Sequence, residues 1–243
     1  MIDPFQHHRA IAPFSIWSQR DCKKMFPKFS DNLYIDNEII YQQKEHFKNY
    51  KGKTLMLVGG GPSSKDGWQD KQYDYLWSMN HFYKNPVFLE HHVDLAMIMG
   101  EPDINDQDFK RVIEQHNTNI GFEIHDRWDN YEFEENENFF CMHTRFYGKV
   151  GIGARMKLFA AHLGFEKVYF TGCDGPSAIF AGDHFFEPGK KTLPSIFQNA
   201  PLDVVHTHWK LQYDFFWQYL EHTYPEAKFY NIGGGEVYHE KCK

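Results

Sequence analysis

At 243 residues with a net charge of −7 and no basic run, the chain is long enough for one large α/β domain and is not built to bind nucleic acid. Its 23 Phe, 14 Tyr and 6 Trp imply that aromatic rings furnish much of the core and the walls of a ligand site. Cys22, Cys141, Cys173 and Cys242 lack paired spacing, no apolar run reaches transmembrane length, and the N-terminus has no signal-peptide pattern. A reduced cytoplasmic protein is expected, with peripheral membrane contact and homo-oligomerisation left open.

Residues 1–35 read as a wrapping arm, irregular and carrying Pro4, Pro13 and Pro27 among aromatics, and 36–49 read as a helix. The first strand, 54–59, is an apolar β run ending in Gly59-Gly60-Gly61-Pro62-Ser63-Ser64. Glycines at a strand end let the backbone approach a ligand closely, Pro62 suits the first turn of a helix expected over 62–70, and Ser63 and Ser64 can cap it or donate to an oxyanion. The run is neither a dinucleotide fingerprint, lacking the third glycine, nor a Walker A loop, lacking Gly-Lys-Ser/Thr; a glycine-rich turn without a ligand is the plain alternative.

Further strands are expected near 73–79 (ending on Asn80), 86–99 (with room for a break), 118–124, 138–144, 167–173 and 227–232. The strand at 167–173 runs into Gly172-Cys173-Asp174. Helices are expected near 105–116, 151–163 and 208–223. The small-residue helix Gly151–Leu163, stopped by Gly164, suits either a tightly packed crossover or a ligand-facing N-terminus. Residues 126–137 read as an acidic, aromatic exposed loop. Alternating strands and helices predict a single α/β domain over 1–243, with 1–50 as arm and helix and about 175–207 as a lid. Strand ends bearing glycine, Asn80 and Asp174 predict a nucleotide crevice at the carboxyl edge of a mostly parallel sheet.

Three segments together resemble the bacterial sialyltransferases of glycosyltransferase family 42. These are Gly59-Gly60-Gly61-Pro62-Ser63 followed by Asn80-His81-Phe82-Tyr83; Val150-Gly151 through Leu163-Gly164-Phe165 to Gly172-Cys173-Asp174; and Thr207-His208-Trp209-Lys210 with the helix to Tyr224. The pattern also resembles a broader group, the motility-accessory nonulosonate transferases and MptE-like pterin pyrophosphokinases. The resemblance implies a Rossmann-like, GT-A-variant fold of about seven strands flanked by helices. It implies transfer of a sialic-acid-like sugar from a nucleotide donor, a CMP-sugar, to a glycan acceptor; no cofactor is expected, and no metal, since no ligand spacing in the chain is diagnostic. It gives Gly59, Gly60, Gly61, Pro62, Ser63, Ser64, Asn80, Gly172 and Asp174 to the nucleotide and His208 to the general base. Two departures stand out: Gly60 replaces the family's asparagine, and Gly175-Pro176-Ser177 replaces an aromatic pair that helps hold the nucleotide phosphate. Alternatives are a pyrophosphokinase and a nucleotide- or glycan-binding protein without catalysis.

An acceptor hydroxyl loses a proton as it attacks, and histidine titrates in the right range to take it. His208 is expected at a helix start, where the dipole favours the neutral imidazole. His184 in the lid segment Asp183–Lys191, and His206, are its competitors. Backbone N–H groups at 61–64 are expected to stabilise the leaving phosphate, and Asn80 and Asp174 to read ribose or base. Metal ligands could be sought at His91-His92-x-Asp94, Asp183-His184 and His206-x-His208, the last pair sharing one face of a strand, but no spacing is diagnostic. Asp106-Gln107-Asp108 has a metal-binding form, yet at a helix start its acids cap and complement the dipole.

Overall fold

Side chains of each central strand alternate between two apolar faces, the pattern of a parallel sheet covered on both sides. In β3 (Thr54–Val58), Leu55 and Leu57 enter one core and Met56 and Val58 the other. In β4 (Tyr75–Met79), Trp77 opposes Leu76, and in β5 (Leu95–Ile98), Leu95 and Met97 oppose Ala96 and Ile98. β6 (Asn119–Glu123), β7 (Phe139–His143), β8 (Lys167–Thr171) and β9 (Lys228–Asn231) complete seven parallel strands. β1 (Leu33–Asp36) and β2 (Ile39–Gln42) form an antiparallel hairpin on the β7 edge, giving the order β1-β2-β7-β6-β5-β4-β3-β8-β9. The structure, a computed structural model, describes residues 33–36, 39–65, 67–98, 105–123, 136–144, 151–175, 184–189 and 199–233.

Three α-helices among the described residues flank this sheet. α1 (Gln107–His116) packs Phe109, Val112 and Ile113 into one core beside Phe82, Phe88 and Trp68. α2 (Ile152–His162) and α3 (Leu202–Thr223) cover the other. Every residue of α2 from Ile152 to Ala161 is buried. Its small residues allow that burial, and Gly164 at φ +83° ends it, with Phe165 N–H bonded to Ala160 C=O at 3.2 Å and Gly164 N–H to Ala161 C=O at 3.0 Å. No described helix is long and apolar enough to cross a membrane.

The seven strands expected from the sequence are the seven parallel ones. Four other expectations are corrected. The segment 36–49 is not a helix: Ile39, Ile40 and Tyr41 are consecutively buried, which an amphipathic helix does not do, and they pair as strand β2 against β7 before a 3-10 turn over Glu45–Tyr50. The helix at 62–70 reduces to a single 3-10 turn, Pro62–Ser64, with Gly67 at φ +87° soon after. The strand at 86–99 begins only at Leu95, because Asn85 caps a 3-10 turn that opens with Pro86. The helix expected from 208 begins at Leu202, so it takes in the end of the lid expected over 175–207. The arm over 1–32 and residues 126–135 of the acidic loop lie outside the described residues.

This order positions the site. The chain steps from β3 through β4, β5 and β6 to β7 in one direction, then returns to lay β8 on the other side of β3. The strand order therefore reverses between β3 and β8, and a crevice is expected outside their carboxyl ends.

Candidate functional site

The loops leaving β3 and β8 interlock at this switch point. Gly59 N–H bonds Thr171 C=O and Gly61 N–H bonds Gly172 C=O, each at 2.9 Å. Ser63 N–H bonds Asp174 Oδ2 at 2.9 Å, Gly172 N–H bonds Ser63 Oγ at 3.0 Å, and Thr171 Oγ1–H bonds Ser63 C=O at 2.7 Å. Ser64 Oγ–H closes back on Gly61 C=O at 2.7 Å. The contact is too close for side chains: a Cβ on Gly172 would lie 2.5 Å from Gly59 O, and one on Gly61 would lie 2.1 Å from Asp174 Oδ2. Two glycine-bearing loops thus cross at backbone distance, the use for which glycine is suited.

These bonds correct the expected phosphate cradle. The N–H groups of Gly61 and Ser63 are engaged across the loops, and Ser64 N–H returns to Gly61 C=O at 3.0 Å. Pro62 has no N–H, and the short 3-10 turn is no helix N-terminus for an anion. Among the described residues, the Gly60 N–H at the loop apex makes no hydrogen bond. Asp174 is buried and spends Oδ2 on Ser63, while Oδ1 makes no hydrogen bond among the described residues.

Residues 184–187 sit on that apex. Phe185 N–H bonds Gly60 C=O at 2.9 Å. The His184 ring, stacked on Phe186, brings Cδ2 and Nε2 within 3.4 Å of where a Gly60 Cβ would lie. The ring at 184 therefore fills the space beside Gly60 that a long side chain at that position would need. His184 Nδ1 and His81 Nδ1 each stand 3.9 Å from Glu187 Oε2. His81 follows Asn80, which has φ 48°, leaves the tip of β4 and donates its N–H to Met97 C=O at 2.8 Å. Because Val58 pairs with Ser78, Asn80 lies level with Gly60 on the adjacent strand.

The structure therefore gathers Gly59, Gly60, Gly61, Pro62, Ser63, Ser64, Asn80, Gly172, Asp174 and His184 at one end of the sheet. His81, Glu187 and Phe186 join them unannounced by the sequence reading. The i, i+3 spacing of His184 and Glu187 was a signal, as was the position of His81 one residue past a strand tip. His208 departs from its expected setting. It lies in the second turn of α3, with Nε2 against the Gln212 side chain, so the dipole argument for a helix start does not apply to it. His206 and His208 are on a helix, not a strand, and residues two apart there face different ways.

The other metal-ligand spacings also resolve. Asp106 caps α1 by accepting the Asp108 and Phe109 N–H groups, and Lys84 pairs with both Asp106 and Asp108. His92 Nε2 pairs with Asp94 Oδ1 at 3.2 Å at the amino end of β5, the opposite edge of the sheet, while His91 sits edge-on to Trp68. Asp183 lies outside the described residues.

No protein-family model and no curated protein matches this chain. Among solved structures it is similar to the sialyltransferase CstII from Campylobacter jejuni, solved in complex with a substrate analogue, cytidine-5′-monophosphate. Identity is 16% and the TM-score 0.45, over 76% of this chain and 81% of that one.

Proposed function

We propose that this protein is a glycosyltransferase that moves a sialic-acid-like sugar from a nucleotide donor, a CMP-sugar, to a glycan acceptor. The observation that carries the reading is the His184 imidazole held over the Gly60 apex by the Phe185–Gly60 backbone bond, at the β3–β8 switch point. The motif resemblance supplies the substrate class. In this reading Asn80 and Asp174 Oδ1 bind ribose or base, and the Gly60 N–H with His184 meets the phosphate.

The reaction needs few groups. An acceptor hydroxyl oxygen bonds the anomeric carbon as the bond from that carbon to the phosphate oxygen breaks. CMP leaves with the bonding electron pair, and the hydroxyl proton passes to a base. His208 is the proposed base, from its place in the motif order. The His184 ring, beside the Glu187 carboxylate, offers an N–H to the charge developing on the leaving phosphate. The lid over Gly60 excludes water and limits donor hydrolysis.

A second reading, a nucleotide-binding protein without catalysis, is favoured by one observation: the N–H groups of Gly61, Ser63 and Ser64 are spent within the protein. Incubation with CMP-sialic acid separates them. The transferase releases CMP and free sugar slowly without acceptor and faster with one; the binding protein is stabilised by CMP but turns nothing over. Activity that requires ATP and Mg²⁺ would instead support the pyrophosphokinase.

A further inference from the structure

A cavity of about 500 Å³ opens at the amino ends of β4 to β7, the edge of the sheet opposite the crevice. That volume falls within the range of about 300–1,000 Å³ typical of small-molecule sites. Its wall is unusual. Such sites are mostly apolar, whereas this one is lined by three asparagines at strand entrances, Asn117, Asn119 and Asn138, together with Asp94, His92 and the ring of Tyr75.

Each asparagine is anchored at one end. Asn138 Nδ2 donates to Asn117 Oδ1 at 2.8 Å, and Asn119 Nδ2 donates to the Asp94 carbonyl at 3.1 Å. Among the described residues, these bonds leave Asn117 Nδ2 as a donor and Asn119 Oδ1 and Asn138 Oδ1 as acceptors. The amides are thus held in place with their second ends unspent, which lowers the ordering cost of binding. Asp94 is fixed as well, accepting Leu76 N–H on Oδ2 at 2.7 Å and pairing with His92 on Oδ1. Tyr75 packs edge-on against buried Tyr50 at 4.5 Å between centroids, so its partly exposed ring is braced from behind.

The charges nearly cancel. Lys44 and His92 face Asp94 and Glu137, and Lys44 Nζ is bonded to the Glu137 carbonyl. His46, also in the lining, is pushed toward its neutral form by burial and by nearby Lys44. An anion finds no unopposed cation here, and an apolar ligand would strand the amides. A ligand that both donates and accepts at several adjacent positions, and has an apolar face for one ring, satisfies the wall.

We infer that this amino-end cavity is a binding site for a neutral saccharide, a mono- or disaccharide whose hydroxyls bond Asn117, Asn119 and Asn138 and whose apolar face lies on Tyr75. It is independent of the reading of the crevice at the other edge.

The test is an NMR titration of the full chain with a panel of neutral sugars: glucose, galactose, N-acetylglucosamine, lactose and maltose. Inorganic phosphate and citrate serve as anions. At least one sugar should shift the side-chain amide signals of the three asparagines saturably, with Kd in about the millimolar range. Asn117→Ala and Asn119→Ala should each weaken that binding by about fivefold, the loss of one hydrogen bond. Both variants should stay folded and keep the parent response to CMP, with Asn117→Ala melting lower because the left-handed cap at φ 52° disfavours alanine. Two variants guard against one that misfolds. The site is refuted if no sugar in the panel binds saturably, if both variants bind as the parent does, or if phosphate or citrate shifts these signals more than every sugar.

Discussion

The Asp174 carboxylate fills the space that a side chain on Gly61 would need: a Cβ there would lie 2.1 Å from Oδ2. Gly61→Ala must therefore push Asp174 away from the Ser63 N–H it holds, or shift the loop against Gly172 O, 2.9 Å from the same point. A loss of about 1–3 kcal/mol is expected, as for overpacking in a close-fitted interior. Gly172→Ala should cost more, since φ +69° disfavours any side chain and its Cβ would meet Gly59 O at 2.5 Å. Urea denaturation of both variants checks the order. If Gly61→Ala is as stable as the parent, the interlock is not rigid.

Gly60 behaves differently, because its neighbour is a ring and not backbone. A Cβ there would touch His184 at 3.4 Å, which is ordinary contact, so Gly60→Ala should be well tolerated. Gly60→Asn should not be: the larger side chain displaces the His184 ring and loosens the Phe185–Gly60 bond. Hydrogen exchange at the Phe185 amide reads this directly. Faster exchange in the asparagine variant, with parent-like exchange in the alanine one, is expected; equal protection in all three would show that the segment at 184–187 is held elsewhere.

Much of this architecture was legible because buried parallel strands announce themselves. Leu55–Val58 and Val168–Thr171 are short apolar runs ending in glycine, and their C-terminal tips carry the crevice. What was hidden depends on partners remote in sequence. Ile39–Tyr41 reads equally as a helix until β7 is there to pair with it. α3 begins ahead of His208 because the buried stripe of Val205, Trp209, Phe216 and Leu220 has helical spacing. The loop N–H groups at 61 and 63 read as available because their acceptors, Gly172 O and Asp174 Oδ2, arrive with a strand more than a hundred residues away, whereas Ser64 N–H turns back to Gly61 C=O within its own loop. His81 and Glu187 were missed for the same reason.

Activity, once detected, should survive EDTA. Asp106 and Asp108, the pair with metal-binding form, are committed to the α1 N-terminus and to Lys84, which bridges them at its ammonium. Burial alone would raise the Asp106 pKa, but Lys84 and the capping N–H groups hold it below the usual carboxylate range. Asp106→Ala should then cost about 1 kcal/mol of stability, as lost caps do, and leave turnover near the parent value. Abolished turnover in chelator, restored by Mn²⁺ or Mg²⁺, would overturn this and favour the pyrophosphokinase.

His162 gives the fold an acid-side weakness. Burial lowers its pKa, and Nδ1 lies 3.1 Å from the Tyr224 hydroxyl on α3's C-terminal side. A histidine whose folded pKa is depressed contributes stability that is present above its unfolded value, about 6.5, and is lost as pH falls through the folded one. Unfolding free energy should therefore decline as pH drops below about 6.5. His162→Gln keeps a polar partner for Tyr224 and removes the titration, so its curve should be flatter over that window. Some slope persists, because burial lowers the pKa of His46 too. Identical slopes in the two proteins would remove His162 as the cause.

The two candidate histidines should separate in the kinetics of their variants. His208→Ala should lower kcat by about 10²–10⁴-fold and leave CMP affinity near the parent value, as loss of a base that acts only in the transition state does. His184 faces the Gly60 apex and the Glu187 carboxylate, so His184→Ala should weaken CMP binding as well as turnover. Should His184→Ala lower kcat alone while His208→Ala keeps full turnover, the base is at 184, where the geometry already gathers Asn80, Asp174 and Gly60. Turnover and CMP affinity unchanged by either substitution would take both histidines out of the reaction and leave the crevice as a binding site.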